Sequence, residues 1–111
     1  MEKAMKILAI TRVSPQTTPE KIRPHLEAEV RCAWSLYKEG PVREMYSCPD
    51  RRLGVVFVLE CDNTDEARKA LDGLPFVRER LIEFELIPLG PFSYFEMLFR
   101  DYERLQHGGQ S

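Results

Sequence analysis

Apolar positions along the chain fall into short aliphatic runs separated by longer stretches with helical spacing, and turn-forming residues punctuate the change from one rhythm to the other. Residues 5–11 form a short aliphatic run that stops at Ser14 and Pro15, which predicts a first strand. Thr17 or Thr18 then offers an N-cap, Pro19 suits a first helical turn, and Glu20 stands three after Thr17 as in a capping box. The helical spacing continues to Lys38. Pro24 is expected to delay or kink the start, Gly40 to cap the end and Pro41 to stop it. Residues 42–48 predict a second strand, 49–52 a turn and 53–61 a third strand, together a hairpin. Asp62 to Glu66 supply cap candidates and acidic first-turn residues for a second helix that ends at Gly73, where Leu74 and Pro75 break it. Residues 81–87 predict a fourth strand, closed by Pro88, Gly90 and Pro91. Ser93 and Glu96 repeat the capping signature, and Phe95, Leu98, Tyr102 and Leu105 share one stripe of a last helix.

The order strand, helix, strand, strand, helix, strand predicts an α+β fold of ferredoxin-like βαββαβ plan over residues 1–92, with a C-terminal helix and tail over 93–111. In that plan both helices lie on one face of an antiparallel sheet, so the strands should alternate between core and solvent. The third strand does not: from Val55 to Leu59 it is apolar on both faces. At roughly 25 cal/mol per Å², leaving that second face wet forfeits several kcal/mol, comparable to the stability of a domain. Only the C-terminal helix or another subunit is available to cover it, and since a second copy packed sheet against sheet buries both inner faces at once, the expectation is a homodimer, a dimeric α+β barrel.

Composition narrows the possible functions. With 111 residues and 43% hydrophobic content, the chain has enough for a single core without disulfides or a structural metal. A net charge of -2, without a long Lys/Arg block, offers no footprint for a nucleic-acid backbone. The three cysteines, Cys32, Cys48 and Cys61, are widely spaced and read as reduced core thiols of a cytoplasmic protein. The absence of a leader pattern or an apolar run of membrane-spanning length predicts a soluble chain with no membrane partner. The chain carries no GxGxxG, P-loop or GxSxG signature. His25 and His107 are too isolated for a metal set, and no cofactor is expected; His25 near a helix start is the one side chain on which haem binding would rest.

Glu29 is the most informative position. Projected at about 100° per residue, the first helix gathers Ile22, Leu26, Ala33 and Leu36 into one arc, and Glu29 falls inside it rather than beside Glu27 and Arg31. A carboxylate there must be ion-paired, hydrogen-bonded or protonated with a raised pKa. Arg12 and Arg43 are the cations expected for a structural pair. Arg43 and Tyr46 stand three apart on a strand, so they point to opposite faces unless a bulge intervenes. Tyr46 reads as a core ring with its hydroxyl at the edge, or else as a pocket donor. Glu83 and Glu85 share the face of the fourth strand opposite Ile82, Phe84 and Leu86, which predicts a solvated face or an acidic cleft.

Two stretches resemble the muconolactone isomerase family and the wider dimeric α+β barrel superfamily around it. One runs from Glu29 through Lys38, Glu39, Gly40 and Pro41 to Arg43, similar to that family's helix end followed by a strand that carries an arginine. The other joins Leu74, Pro75 and Phe76 to the run from Ile82 to Leu89, similar to the family's fourth strand. Where the family has a histidine directly after the strand arginine and a tryptophan two residues further on, this chain has Glu44 and Tyr46. The resemblance implies a homodimer or larger ring, and either proton transfer on a small unsaturated ring or lactone or binding of a small apolar ligand without turnover. Catalysis would fall to Glu29 as base and Arg43 or Tyr46 as donor to a developing enolate oxygen.

Overall fold

A computed structural model describes residues 4–106, and the side chains of residues 4–100. Its four-stranded antiparallel sheet is built from β1 (Met5–Val13), β2 (Val42–Ser47), β3 (Val55–Cys61) and β4 (Ile82–Leu89), in the spatial order β2-β3-β1-β4. Helices α1 (Pro19–Ile22) and α2 (Leu26–Lys38) connect β1 to β2, α3 (Thr64–Asp72) and α4 (Pro75–Arg78) connect β3 to β4, and α5 (Phe95–Gln106) follows β4. The chain is therefore an α+β fold with mixed helices on an antiparallel sheet.

Alternation sets the core. Ile7, Ala9 and Thr11 of β1 lie beside Phe57, Leu59 and Cys61 of β3 and beside Ile82 and Phe84 of β4, all buried beneath the helices. Ala67 and Leu71 of α3, with Leu74, Phe76 and Leu81, close the layer. Thr11 is the polar member of the central strand. Its hydroxyl accepts from the Val55 amide at 3.0 Å and lies within hydrogen-bond reach of the Leu53 and Val55 carbonyls, so its burial leaves no unmet group. The opposite sheet face presents Leu8, Ile10, Val56, Val58 and Ile87, none covered by a helix and none fully buried. Charged residues ring this patch: Arg12 pairs with Glu85, and Arg43 pairs with Glu60.

Several elements depart from the sequence reading. The first helix is not continuous, because Pro24 lacks the amide that an unbroken α-helix needs; Arg23–His25 adopt a tighter 3-10 turn between α1 and α2. Of the two threonines, Thr18 caps α1 through the Lys21 amide, while Thr17 is buried and donates to the Leu81 carbonyl at 2.7 Å. Strand β3 starts at Val55 rather than Leu53, since Leu53 sits in the turn with φ 54°. Leu74 and Pro75 do more than break a helix: Pro75 occupies the first turn of α4. Pro88 does not end β4, which is an edge strand and runs on to Leu89. Gly40 lies one residue beyond the cap position, Glu39, yet its place is sterically fixed, because a Cβ there would stand 2.9 Å from the Leu36 carbonyl oxygen.

Helix α5 projects from the body. The Cα radius of gyration is 19.6 Å, against about 13 Å for a compact chain of 100 residues. Phe95, Leu98 and Phe99 are all more than half exposed. The side chains of Tyr102 and Leu105, and His107 altogether, lie outside the described residues.

Candidate functional site

Between α2 and the sheet lies a cavity of about 350 Å³. Leu26, Glu29, Val30 and Ala33 of α2 form one wall; Met45, Val55, Phe57, Phe76 and Ile82 form much of the rest. The lining is overwhelmingly apolar, and Glu29 is its one ionisable carboxylate. Two other hollows, of about 430 and 340 Å³, mix charged and polar residues with apolar ones, and a third of about 360 Å³ is lined by Trp34, Tyr37, Met45 and Tyr46 beside Arg43 and Glu44.

Glu29 borders the cavity from the α2 side, within the arc that also holds Leu26 and Ala33. Its Oε1 accepts a hydrogen bond from the Phe76 backbone amide at 2.8 Å. That amide belongs to the first turn of α4, where helix geometry leaves N–H groups without intrahelical partners. The N-cap residue is Leu74, whose side chain has no acceptor, so a carboxylate from another helix takes over the capping role. The ion pair expected from Arg12 or Arg43 is not formed. Both arginines are engaged elsewhere, and Glu29 has no salt bridge among the described residues. Desolvation pushes the Glu29 carboxyl above its ordinary 4.5, and the Phe76 hydrogen bond only partly opposes that rise. The outcome is a carboxylate tethered by one oxygen, without a cation, on an apolar wall.

Of the other two expected site residues, Tyr46 borders the same cavity and Arg43 does not. A bulge between Val42 and Glu44 shifts the register of β2 against β3, so the strict alternation assumed from sequence does not apply. Arg43 donates to Glu60 at 3.0 Å and to the Gly40 carbonyl, at the rim of the uncovered sheet face. Glu44 pairs with Val58 and Tyr46 with Val56, which turns both side chains toward that same face. The Tyr46 hydroxyl donates to the Glu44 carboxylate at 2.6 Å, and that bond raises the phenol pKa by holding its proton. Tyr46 borders the cavity but is more than half exposed, not the core ring expected. Ser47, next along the strand, faces the cavity side, and among the described residues its hydroxyl has no hydrogen-bond partner.

Glu83 and Glu85 share the uncovered face, as their alternation with Ile82 and Phe84 requires, and Glu85 is tied to Arg12. His25 lies on the 3-10 turn beside Lys21 and Glu79, outside the cavity lining. Cys61 is buried, whereas Cys32 and Cys48 are only partly so, and Cys48 falls in the turn after β2. Burial raises the Cys32 thiol, and the nearby Glu29 charge raises it further. Among the described residues no group of three His, Cys, Asp or Glu side chains is placed to hold a metal ion, and no helix is long and apolar enough to cross a membrane.

Sequence reasoning missed the capping contact from Glu29 to Phe76. Its signal was present: a proline-opened helix preceded by leucine has no local cap, so its acceptor must come from elsewhere in the fold. It also missed the exposed α2 stripe of Leu26, Val30, Trp34 and Tyr37, in which the Trp34 and Tyr37 rings lie 5.9 Å apart. Neither a protein-family model nor a curated protein matches this chain.

Proposed function

We propose that this chain is a ferredoxin-like α+β protein that pairs with a second copy through the uncovered sheet face, and that its cavity holds a small, mainly apolar metabolite anchored by Glu29. The observation that carries this reading is a desolvated carboxylate without a cationic partner, opening on an apolar cavity of about 350 Å³. A volume of this size lies at the small end of ligand sites, and one polar anchor in an apolar wall suits a compact molecule with a single hydroxyl, enol or acid group.

A second reading makes the same pocket an isomerase site that moves a proton between carbons of an unsaturated ring or lactone. The raised Glu29 pKa favours it, because a carboxyl brought toward neutrality both removes and returns a proton efficiently. Arg43 and Tyr46 keep their polar groups on Glu60 and Glu44, so within one copy the free hydroxyl donor bordering the pocket is that of Ser47. The absence of the family's strand histidine, replaced by Glu44, fits a changed set of acids and bases.

A thermal-shift screen of small unsaturated acids, phenols and lactones against the native chain, Glu29→Gln and Glu29→Leu tests both readings. Ligands should stabilise the native chain and lose at least about tenfold in affinity with Glu29→Leu, the equivalent of about 1.4 kcal/mol. Equal stabilisation of all three proteins would place binding outside this cavity. Proton transfer adds a second readout: a bound lactone in deuterated water should exchange its acidic C–H with the native chain and not with Glu29→Gln. Exchange retained in Glu29→Gln would end the isomerase reading while leaving the binding reading intact.

A further inference from the structure

Apart from Tyr46 and Leu89, the exposed large apolar residues fall into two groups on separate elements. One is the α2 stripe from Leu26 to Tyr37; the other is the aromatic arm formed by Phe92, Tyr94 and the start of α5. In the arm Phe92 packs edge-on against Phe95 with ring centroids 4.9 Å apart, so the linker and helix share one apolar cluster. Between β2 and the C-terminal half of α2 runs a groove of about 360 Å³ lined by Trp34, Tyr37 and the β2 edge.

Building on the dimer proposed above, we infer that α5 of each copy lies along α2 of its partner, fills this groove and closes the mouth of the partner's cavity. Two in-plane two-fold axes bring the uncovered sheet faces together. An axis across the strands sets β2 against β2. An axis along the strands reverses the lateral order, so β4 of one copy lies over β2 of the other. Only the second arrangement delivers the arm that follows β4 to the β2 edge of the partner.

The ends also match. Strand β4 finishes where Leu89 pairs with Lys6, at the sheet end where Lys6 also pairs with Glu60, and Val42 opens β2 beside Leu59. Helix α2 finishes at that same end, because only Glu39, Gly40 and Pro41 separate it from β2. An axis along the strands keeps the two ends in place, so the arm enters beside the partner's Trp34 and Tyr37. It then runs toward Leu26 and Val30, which border the cavity. The five link residues 90–94 reach about 16 Å when extended, enough to pass a sheet spacing of about 10 Å and enter the groove beyond. The surface is sufficient. One face of the arm and the α2 stripe, at about 150–250 Å² per fully exposed aromatic, supply on the order of 800 Å² per copy, the standard for a stable interface.

Trp34 is the single tryptophan and reports directly on the contact. The native chain should be a dimer by light scattering, with blue-shifted Trp34 emission and weak acrylamide quenching. The double variant Phe95→Ala, Leu98→Ala should shift the emission red and raise quenching severalfold, with the far-UV spectrum of the body retained. Mixing that variant with Trp34→Phe chains should restore the blue-shifted emission, because an intact arm then covers Trp34 from the other copy. A dimer whose Trp34 is already solvent-exposed would overturn the arm and leave the sheet-to-sheet dimer standing. A monomer would overturn both. Failure of the mixed sample to recover would show that the arm does not act across copies.

Discussion

Glu29 makes the stability of the fold depend on pH in an unusual direction for a carboxylate. Its pKa is raised on folding, so between its ordinary 4.5 and its folded value the native state holds the proton more firmly than the unfolded chain does. Stability from this group is greatest below 4.5 and falls as pH rises through the folded value, after which the ionised form carries a constant penalty. Glu29→Gln removes the charge and keeps an acceptor for the Phe76 amide. Its melting temperature should exceed that of the native chain at pH 7–8, with the difference vanishing in acid. Glu29→Leu also removes the acceptor and leaves the amide unpaired, which should cost about 1–3 kcal/mol in denaturant melts. A flat difference between Glu29→Gln and the native chain across pH 4–8 would show that the carboxylate is as well solvated folded as unfolded. The position was legible in the sequence as a carboxylate within an apolar arc. Its partner was not, because a backbone amide 47 residues away leaves no trace in periodicity.

At the scale of elements, local rules succeeded where a segment's geometry depends on its own residues and failed where it depends on a neighbour. A polar cap for α3 is expected within Asp62 to Glu66 and falls on Asn63, and the first strand is expected over residues 5–11 and runs over Met5–Val13. The bulge at Arg43 is a property of the β2–β3 pair, so alternation counted along β2 alone placed Arg43 and Tyr46 on opposite faces. Likewise, helical spacing identifies the inner arc of Leu26, Ala33 and Leu36 on α2 but not the exposed stripe of Val30, Trp34 and Tyr37 beside it. The turn after α4 permits a direct test of strain. Arg80 holds φ 61°, a conformation suited to glycine just past a helix end, while its amide bonds to the Val77 carbonyl and its carbonyl accepts from Ser14. Arg80→Gly relieves the Cβ clash and keeps both backbone bonds, so it should stabilise the chain by about 0.5–1 kcal/mol. That gain would show as a higher denaturant midpoint at unchanged slope. A lower midpoint would mean that the Arg80 side chain contributes more than its backbone costs.

For the whole molecule, the proposed dimer rests on the patch of Leu8, Ile10, Val56, Val58 and Ile87, flanked by two ion pairs. Val58 sits near its middle, between Leu8 and Glu44 across the strands. Val58→Lys puts a charge where two sheets would meet, and burying it unpaired costs several kcal/mol. On that proposal the native chain should be a dimer in light scattering and the variant a folded monomer at the same concentration. A Val58→Lys dimer of unchanged affinity would move the interface elsewhere.

The position of β1 in the sheet has a consequence for synthesis. This strand precedes the other three of its sheet along the chain, yet it lies between β3 and β4 and pairs with both. Its pairing with β4 joins Val13 to Ile82 and Lys6 to Leu89, so one flank of the central strand stays open until nearly the whole domain has left the ribosome. A nascent chain that stalls before β4 therefore exposes an aliphatic strand edge capable of pairing with any neighbouring chain. The sheet of this domain is accordingly completed only once β4 has been made, and its yield should be more sensitive to chaperone supply than its final stability suggests.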